Sequence, residues 1–241
     1  MITYAEIWEK GDREINEDYI GHRTEGDSNC FVVADGLGGH GKGEVASRLV
    51  VETALAEFDE KGLCVDFLQD VFERCQNELM ESQKQVHAVH EMKTTLVVCC
   101  MNADSIRWAH IGDTRLYLFE RKRLVQRTLD HSVPQMLVYA GEIKEKDIRF
   151  HPDRNRLMKV MGTKWEKPEY ELSEIVDRKK GQALLLCTDG FWELIDEKKM
   201  VKCLHKAETV QEWAALMKNI IMENGKKRDM DNFSAICIWC D

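Results

Sequence analysis

The sequence predicts an α+β fold, and three observations carry that reading. Short apolar or alternating runs, the pattern of strands, come in groups. Paired stretches with apolar residues at helical spacing stand between those groups, so strands and helices alternate in blocks, which points to layers of sheet and helix and away from a doubly wound parallel sheet. No tandem repeat, low-complexity tract or Pro/Gly/Ser-rich linker divides the 241 residues, so one domain over 1–241 is expected.

The elements follow in order. A strand is predicted from Ala5 to Glu9 and a second from Cys30 to Ala34. From Glu44, residues Val45, Ala46, Leu49, Val50 and Ala54 mark one helix face, and Phe67, Leu68, Val71, Phe72, Cys75 and Leu79 mark another. Thr95 to Asn102, Ser105 to Ile111 and Leu116 to Arg121 form a strand meander. A helix from Val133 to Ala140 and a strand from Ala183 to Cys187 come next. Two helices, Lys198 to Lys206 and Val210 to Met222, precede a last strand from Ser234 to Trp239; Trp213, Leu216, Met217, Ile220 and Ile221 give the second helix its apolar face.

Composition excludes some functions. With 44% hydrophobic and 32% charged residues and 3 prolines, the chain is a folded protein and not a linker or tail. A net charge of −9 argues against a broad nucleic-acid or anionic-membrane face, while local basic pockets stay compatible with it. The apolar runs, such as Ala183 to Cys187, fall far short of the roughly 20 residues that span a bilayer. The first residues lack the basic and apolar regions of a signal peptide. Nine cysteines, several inside apolar runs (Cys30, Cys99, Cys100, Cys187), suit the reducing cytoplasm.

The chemistry is concentrated in aspartates at strand ends. Phe31-Val32-Val33-Ala34 runs into Asp35-Gly36, Trp108 to Ile111 into Gly112-Asp113, and Leu184 to Cys187 into Thr188-Asp189-Gly190; Asp231-Asn232 precedes the last strand. One Asp-Gly after a strand is ordinarily a tight turn, but four acids at strand ends weaken that account. Carboxylates gathered on such rigid mounts repel one another unless a cation neutralises them, and oxygen-only donors favour Mg²⁺, Mn²⁺ or Ca²⁺ over Zn²⁺. The cluster Arg13-Glu14-Ile15-Asn16-Glu17-Asp18 adds an arginine fork suited to phosphate, although alone it is equally a charged turn.

At these residues the chain resembles the metal-dependent serine/threonine protein phosphatases, also called type 2C or PPM. The likeness runs in order through Arg13-x-x-Asn16-Glu17-Asp18, Ala34-Asp35-Gly36-x-Gly38-Gly39-His40, Thr94-Thr95, Gly112-Asp113-Thr114-Arg115, Thr128-x-Asp130-His131-Ser132, Thr188-Asp189-Gly190-x-Trp192-Glu193 and Asp231-Asn232. The spacing after Asp35 is similar to the compact bacterial members. The resemblance implies a four-layer α-β-β-α sandwich, two antiparallel sheets flanked by helices, with a two-metal cleft at one end. It further implies that Asp35 bridges two Mn²⁺ or Mg²⁺ ions, that Asp189 and Asp231 complete one of them, and that the Gly36 carbonyl helps hold the other. Glu17 and Asp18 would orient metal-bound waters, Arg13 would bind the phosphate, and Asp113, shared with Asp189, would support a weaker third ion. The activity implied is hydrolysis of phosphoserine and phosphothreonine in proteins, reversing a serine/threonine kinase, by a cytoplasmic monomer. Phosphorylated proteins and a cognate kinase are the implied partners. Nucleic acid and membrane are not.

Two divalent ions lower the pKa of a shared water and neutralise the phosphoryl oxygens, so no protein nucleophile is required. The sequence agrees, with no Gly-x-Ser-x-Gly elbow and no cysteine followed six residues later by arginine. The family's proposed acid histidine, directly after the bridging Asp-Gly, is Leu37 here, which leaves the general acid open. A catalytically silent relative is the rival reading, although every metal aspartate is retained; a narrow-specificity phosphatase is another, although such relatives tend to lack the Arg13–Asp18 cluster.

Weaker signals have plainer accounts. His40 is read as packing at a helix start, His131 as part of a structural hydrogen-bond network, and His87 with His90 as a solvated helix end. Cys237 and Cys240 point to opposite faces of a strand and so belong to core packing; Trp108, Trp192 and Trp213 are core too. The charged stretch from Gly141 to Gly162 matches the family's flap, where Arg149, Arg154 and Arg156 are candidates to attract a phosphorylated segment, as open a reading as an ordinary exposed loop.

Overall fold

The computed structural model describes residues 1–38, 42–88 and 91–241. The chain runs β1 (Ile2–Glu9), β2 (Asp18–Glu25), β3 (Ser28–Leu37), α1 (Lys42–Lys61), α2 (Phe67–Gln85), β4 (Lys93–Thr94), β5 (Leu96–Met101), β6 (Ser105–Ile111), β7 (Arg115–Glu120) and β8 (Arg123–Arg127). It continues through α3 (Val133–Tyr139), a 3-10 turn (Glu145–Phe150), β9 (Glu171–Leu172), β10 (Val176–Asp177), β11 (Gln182–Cys187), α4 (Asp189–Trp192), α5 (Glu197–Lys206), α6 (Val210–Gly225) and β12 (Phe233–Cys240).

Strand alternation divides these elements into layers. One antiparallel sheet has the order β1-β12-β11-β7-β8; the other has the order β10-β6-β5-β3-β2, with β4 beside β3 and β9 beside β6. In β3, Phe31 and Val33 point into the space between the sheets, where they meet Leu184, Leu186, Ile236 and Ile238. Cys30, Val32 and Ala34 point the other way, against Val50, Ala54 and Phe72 of α1 and α2. Leu185, Ala235 and Cys237 face outward on the first sheet and pack on Met200, Trp213 and Met217 of α5 and α6. The expected four-layer α-β-β-α sandwich is therefore present, with three apolar cores, and Cys237 and Cys240 do lie on opposite faces.

Several elements differ from the sequence reading. β2 and β8 were not expected, because both are edge strands whose polar residues blur the alternation. Val45 is half exposed, so the buried stripe of α1 runs instead through Ala46, Val50, Val51 and Ala54. α2 ends at Gln85, which places His87 in the following turn at φ 53° and not on the helix; His90 lies outside the described residues.

Register places the strand-end acids together. Asp18 at the start of β2 pairs with Asp35 near the end of β3. Cys187, at the end of β11, pairs with Arg115 at the start of β7 and with Ala235 near the start of β12. The segments holding Asp35, Asp113, Asp189 and Asp231 thus meet at one end of the sandwich.

Leu186 is fully buried between the sheets. Leu186→Ala is expected to cost about 3 kcal/mol and to lower the melting temperature by roughly 6–12 °C. Ile175→Ala, at an exposed position, should stay within about 0.5 kcal/mol in the same denaturation experiment.

Candidate active site

Each acid is held by its backbone before its side chain does anything. The Asp35 N–H donates to Thr95 Oγ1 at 2.9 Å, and its carbonyl accepts from Thr94 Oγ1 at 2.8 Å. Gly36 follows because nothing larger fits: a Cβ there would lie 2.2 Å from the Gly43 carbonyl oxygen and 2.7 Å from that of Glu17. This close approach presses the end of β3, the Glu17 loop and the first turn of α1 together, and the Gly43 N–H donates to the Glu17 carboxylate.

Asp113 is mounted on a more elaborate brace. Gly112 adopts φ 98°, and a Cβ would meet Thr95 at 2.5 Å. Its N–H donates to His131 Nδ1 at 3.1 Å, and the His131 ring stacks on His110 with centroids 4.9 Å apart. The Asp113 carbonyl accepts from Trp192 Nε1 at 3.0 Å, and Arg115 lies over the Trp192 ring at 3.5 Å. Arg115 in turn forks onto buried Asp130 at 2.8 and 2.6 Å. His131 is thus structural, as the sequence suggested, whereas the part played by His110 was missed. Burial, then the neighbouring His131, pushes His110 down to about 4, so the ring is neutral at physiological pH. His110, His131 and Glu171 bring ligand-capable atoms within 4.8 Å of one another. However, His131 Nδ1 accepts from the Gly112 N–H, His110 Nε2 meets the Leu129 carbonyl, and His131 Nε2 lies 3.1 Å from Glu171 Oε1, so the cluster is taken up by the brace of Asp113.

On the opposite wall, Asp189 opens α4 directly after Thr188, whose Oγ1 donates to Asp18 Oδ2 at 2.8 Å. Arg13 grips both oxygens of Asp231 at 2.9 and 3.0 Å. Asn232 ties the Arg13–Glu17 loop down, accepting from Glu17 N–H and donating to the carbonyls of Lys10 and Ile15.

These pieces enclose a cleft of about 480 Å³ lined by Arg13, Glu17, Asp35, Gly36, Asp113, Asp189 and Asp231, with Asn155 and Leu157 from the 141–162 segment. Asp18 stands apart, 1% exposed and behind the cleft wall. Its place could not be read from the Glu17-Asp18 dipeptide, because the strand begins between the two and sends neighbouring side chains to opposite faces. Arg149 also differs from expectation: its buried guanidinium clamps the carbonyls of Trp192 and Ile195 and the carboxylate of Glu197. Arg154 pairs with Glu193 at 2.6 Å, and Arg156 approaches Asp153 at 3.5 Å and remains largely exposed. His40 lies outside the described residues.

The acids perturb one another strongly. Burial first, then the charge of Asp189, holds Asp35 and Asp113 well above the usual carboxylate range. Burial raises Asp18 to about 8, Asp189 to about 6 and Glu193 to about 7. A set of oxygen donors crowded until its members retain protons is the environment a hard divalent cation fits.

A family model described as Protein phosphatase 2C matches residues 10–227. The chain belongs to that family. The serine/threonine phosphatase stp of Listeria monocytogenes is 32% identical over 212 residues, covering 84% of this chain and 82% of the relative. The crystal structure of Stp1 from Staphylococcus aureus, also named a serine/threonine phosphatase, superposes with a TM-score of 0.90 at 26% identity, covering 100% of this chain and 96% of that one. The catalytic domain of the phosphatase PstP, solved in complex with 2 manganese ions, gives 0.82 at 26% identity, covering 99% and 97%. Membership of the protein phosphatase 2C family makes this chain a metal-dependent serine/threonine phosphatase.

The raised acids set the pH response of chelator-treated protein. Asp18, Asp189 and Glu193 hold protons in the folded chain that the unfolded chain, with ordinary values of 3.8 and 4.5, has released. Folded protein binds more protons, so stability falls as pH rises. His110 opposes this with one proton against three between about 4 and 6.5, so the fall should already be present below 6 and continue, flattening, to about 8 as Asp189, Glu193 and Asp18 release their protons in turn. Melting curves across that range check the sign, and Asp35→Asn, which removes one like charge, should flatten them.

Proposed function

We propose that this chain hydrolyses phosphoserine and phosphothreonine in proteins, reversing a serine/threonine kinase, and that residues 1–241 act as one catalytic domain. The observation that carries the reading is the convergence of four strand-end aspartates on one cleft with Arg13 at its rim. In this reading Asp35 would serve two Mn²⁺ or Mg²⁺ ions, Asp189 and Asp231 would complete one, the Gly36 carbonyl would support the other, and Asp113 with Asp189 would hold a weaker third; all of these residues line the one cleft. Such ions supply an acidified water and neutralise charge on the phosphoryl oxygens.

The chain's own groups do the rest. Arg13 presents a two-armed fork, and a phosphoryl group offers the same paired acceptors as Asp231, so substrate and Asp231 compete for it. Glu17, fixed by the Gly43 N–H at the cleft edge, orients an incoming water and accepts hydrogen bonds from it. Asp18 works through Thr188 and so is a positioning residue for Asp189. Nine free cysteines, eight of them buried, support a reducing compartment, and no described helix is long and apolar enough to cross a membrane.

Exhaustive chelation should abolish hydrolysis of an aryl phosphate, and added Mn²⁺ should restore it; activity that survives chelation would falsify the mechanism. Asp35→Asn should cost roughly three orders of magnitude in kcat or more, with the circular-dichroism spectrum unchanged.

Arg13→Ala leaves the aspartates in place and removes only the fork. The Michaelis constant for a phosphothreonine peptide should rise about tenfold with a smaller fall in kcat, the pattern of uniform binding lost. An unchanged constant removes Arg13 from substrate binding.

A further inference from the structure

At the end of the sandwich opposite the acids, the β7–β8 hairpin and the turn before β11 form a second concave surface. Its groove, about 730 Å³, is lined by Arg121, Arg123, Val125, Lys179 and Lys180 over a floor of Glu120 and Gln182, which hydrogen-bond to each other at 2.9 Å. Beside it lies a hollow of about 210 Å³ whose lining includes Leu204, Ala183 and Trp239, and Lys122 and Lys180 border it.

The hairpin turn is unusual in its residues. Arg121 and Lys122 sit at φ 48° and 58°, both left-handed, in a two-residue turn of the type that favours Asn-Gly. Two long cationic side chains occupy positions where they carry a conformational penalty and where a smaller pair would be more stable. Among the described residues, Arg121, Lys122, Arg123 and Lys180 form no ion pair, Lys179 reaches only the exposed Asp177 at 3.7 Å, and Lys122 Nζ touches only the His205 carbonyl at 3.5 Å. This concentration of unpaired positive charge stands on a chain of net charge −9.

We propose that the groove docks an acidic, extended segment of a phosphoprotein substrate, with one apolar side chain of that segment seated in the hollow between Lys122 and Lys180. The identity of the partner rests on the phosphatase reading. The concave shape favours a single peptide strand over a membrane surface, which cannot follow it. The carboxylates of Glu120, Asp177 and Asp241 nearby, with the acidic remainder of the chain, disfavour a long, regularly charged nucleic acid. The six residues of β7 put the groove roughly 20 Å from the cleft, so one substrate chain can occupy both.

The test uses the manganese-loaded full chain and a phosphothreonine peptide joined through a Gly/Ser linker to an Asp/Glu tail ending in leucine; a serine tail is the control. A linker of about 15 residues has a mean span near 20 Å. The acidic tail should lower KM about tenfold at unchanged kcat by raising the effective concentration, and the gain should vanish above about 0.5 M salt. Arg121→Asn with Lys122→Gly should raise the melting temperature while losing most of the gain, a result that a structural role for the two cations does not allow; adding Lys180→Gln should lose the remainder. Aryl-phosphate turnover and control-peptide kinetics should not change in any variant. Equal KM values for the two tails, or a gain that persists in the triple variant, overturn the proposal. So does a groove-dependent preference for a short DNA duplex or phosphatidylserine vesicles over the acidic tail. Should aryl-phosphate hydrolysis itself fail, fluorescence anisotropy of the labelled tail on the same variants decides the groove independently of the phosphatase reading.

Discussion

The mutual repulsion of buried carboxylates at one end of the sandwich is the constraint around which the rest of this structure is organised. Asp18, Asp35, Asp113 and Asp189 are each raised first by burial and then by neighbouring groups, so the site opposes its own assembly. An uncompensated buried charge costs several kcal/mol. Three apolar cores, one between the sheets and one under each helical layer, offset that cost and keep the strand ends from splaying. The backbone ties then fix each acid at a place it would otherwise leave: Thr94 and Thr95 for Asp35, the His131–His110 stack and Trp192 for Asp113, Thr188 for the start of Asp189.

Two arginine–aspartate forks show how burial divides scaffold from working part. The side chains of Arg115 and Asp130 are 3% and 1% exposed, and their fork braces Trp192 and through it the Asp113 carbonyl. A pair so deep gains little net stability over apolar packing, but breaking it strands a charge at a cost of about 3–5 kcal/mol, so it does not exchange. Arg13 and Asp231, at 48% and 40%, have similar geometry in contact with water. There a pair is worth about 0–1 kcal/mol. That is small beside what a divalent ion or a phosphoryl group offers either partner. The same chemistry is rigid in one place and exchangeable in the other.

What the sequence disclosed follows the same division. Acids that end apolar strands were legible because the strand pattern announces its own boundary, and Asp35, Asp113, Asp189 and Asp231 do line one cleft. Asp18 was not, since its separation from Glu17 depends on where β2 begins, and that edge strand is too polar to show a period. Arg149 misled for a related reason: a charged stretch reads as solvated, while its guanidinium is spent on carbonyls of Trp192 and Ile195, more than forty residues away. His110 sits inside a strand pattern and gives no local sign that it stacks on His131. Side chains whose partners are distant in sequence are where local patterning ends.

The two ends of the sandwich are electrostatic opposites, and their separation matters as much as their signs. An acidic cleft repels a phosphorylated chain until cations occupy it, so attraction at a distance must come from elsewhere. The Arg121–Arg123 turn and Lys180, with Lys179 held only by the exposed Asp177, supply positive charge at the far end. Screening at physiological salt acts over about 8 Å, well short of the roughly 20 Å set by a six-residue strand. The fields therefore do not cancel, and each end addresses a different part of a substrate. The strands that carry Asp113 and Asp189 at one end carry the cationic turns at the other, so β7 and β11 set the distance between capture and chemistry by their length alone.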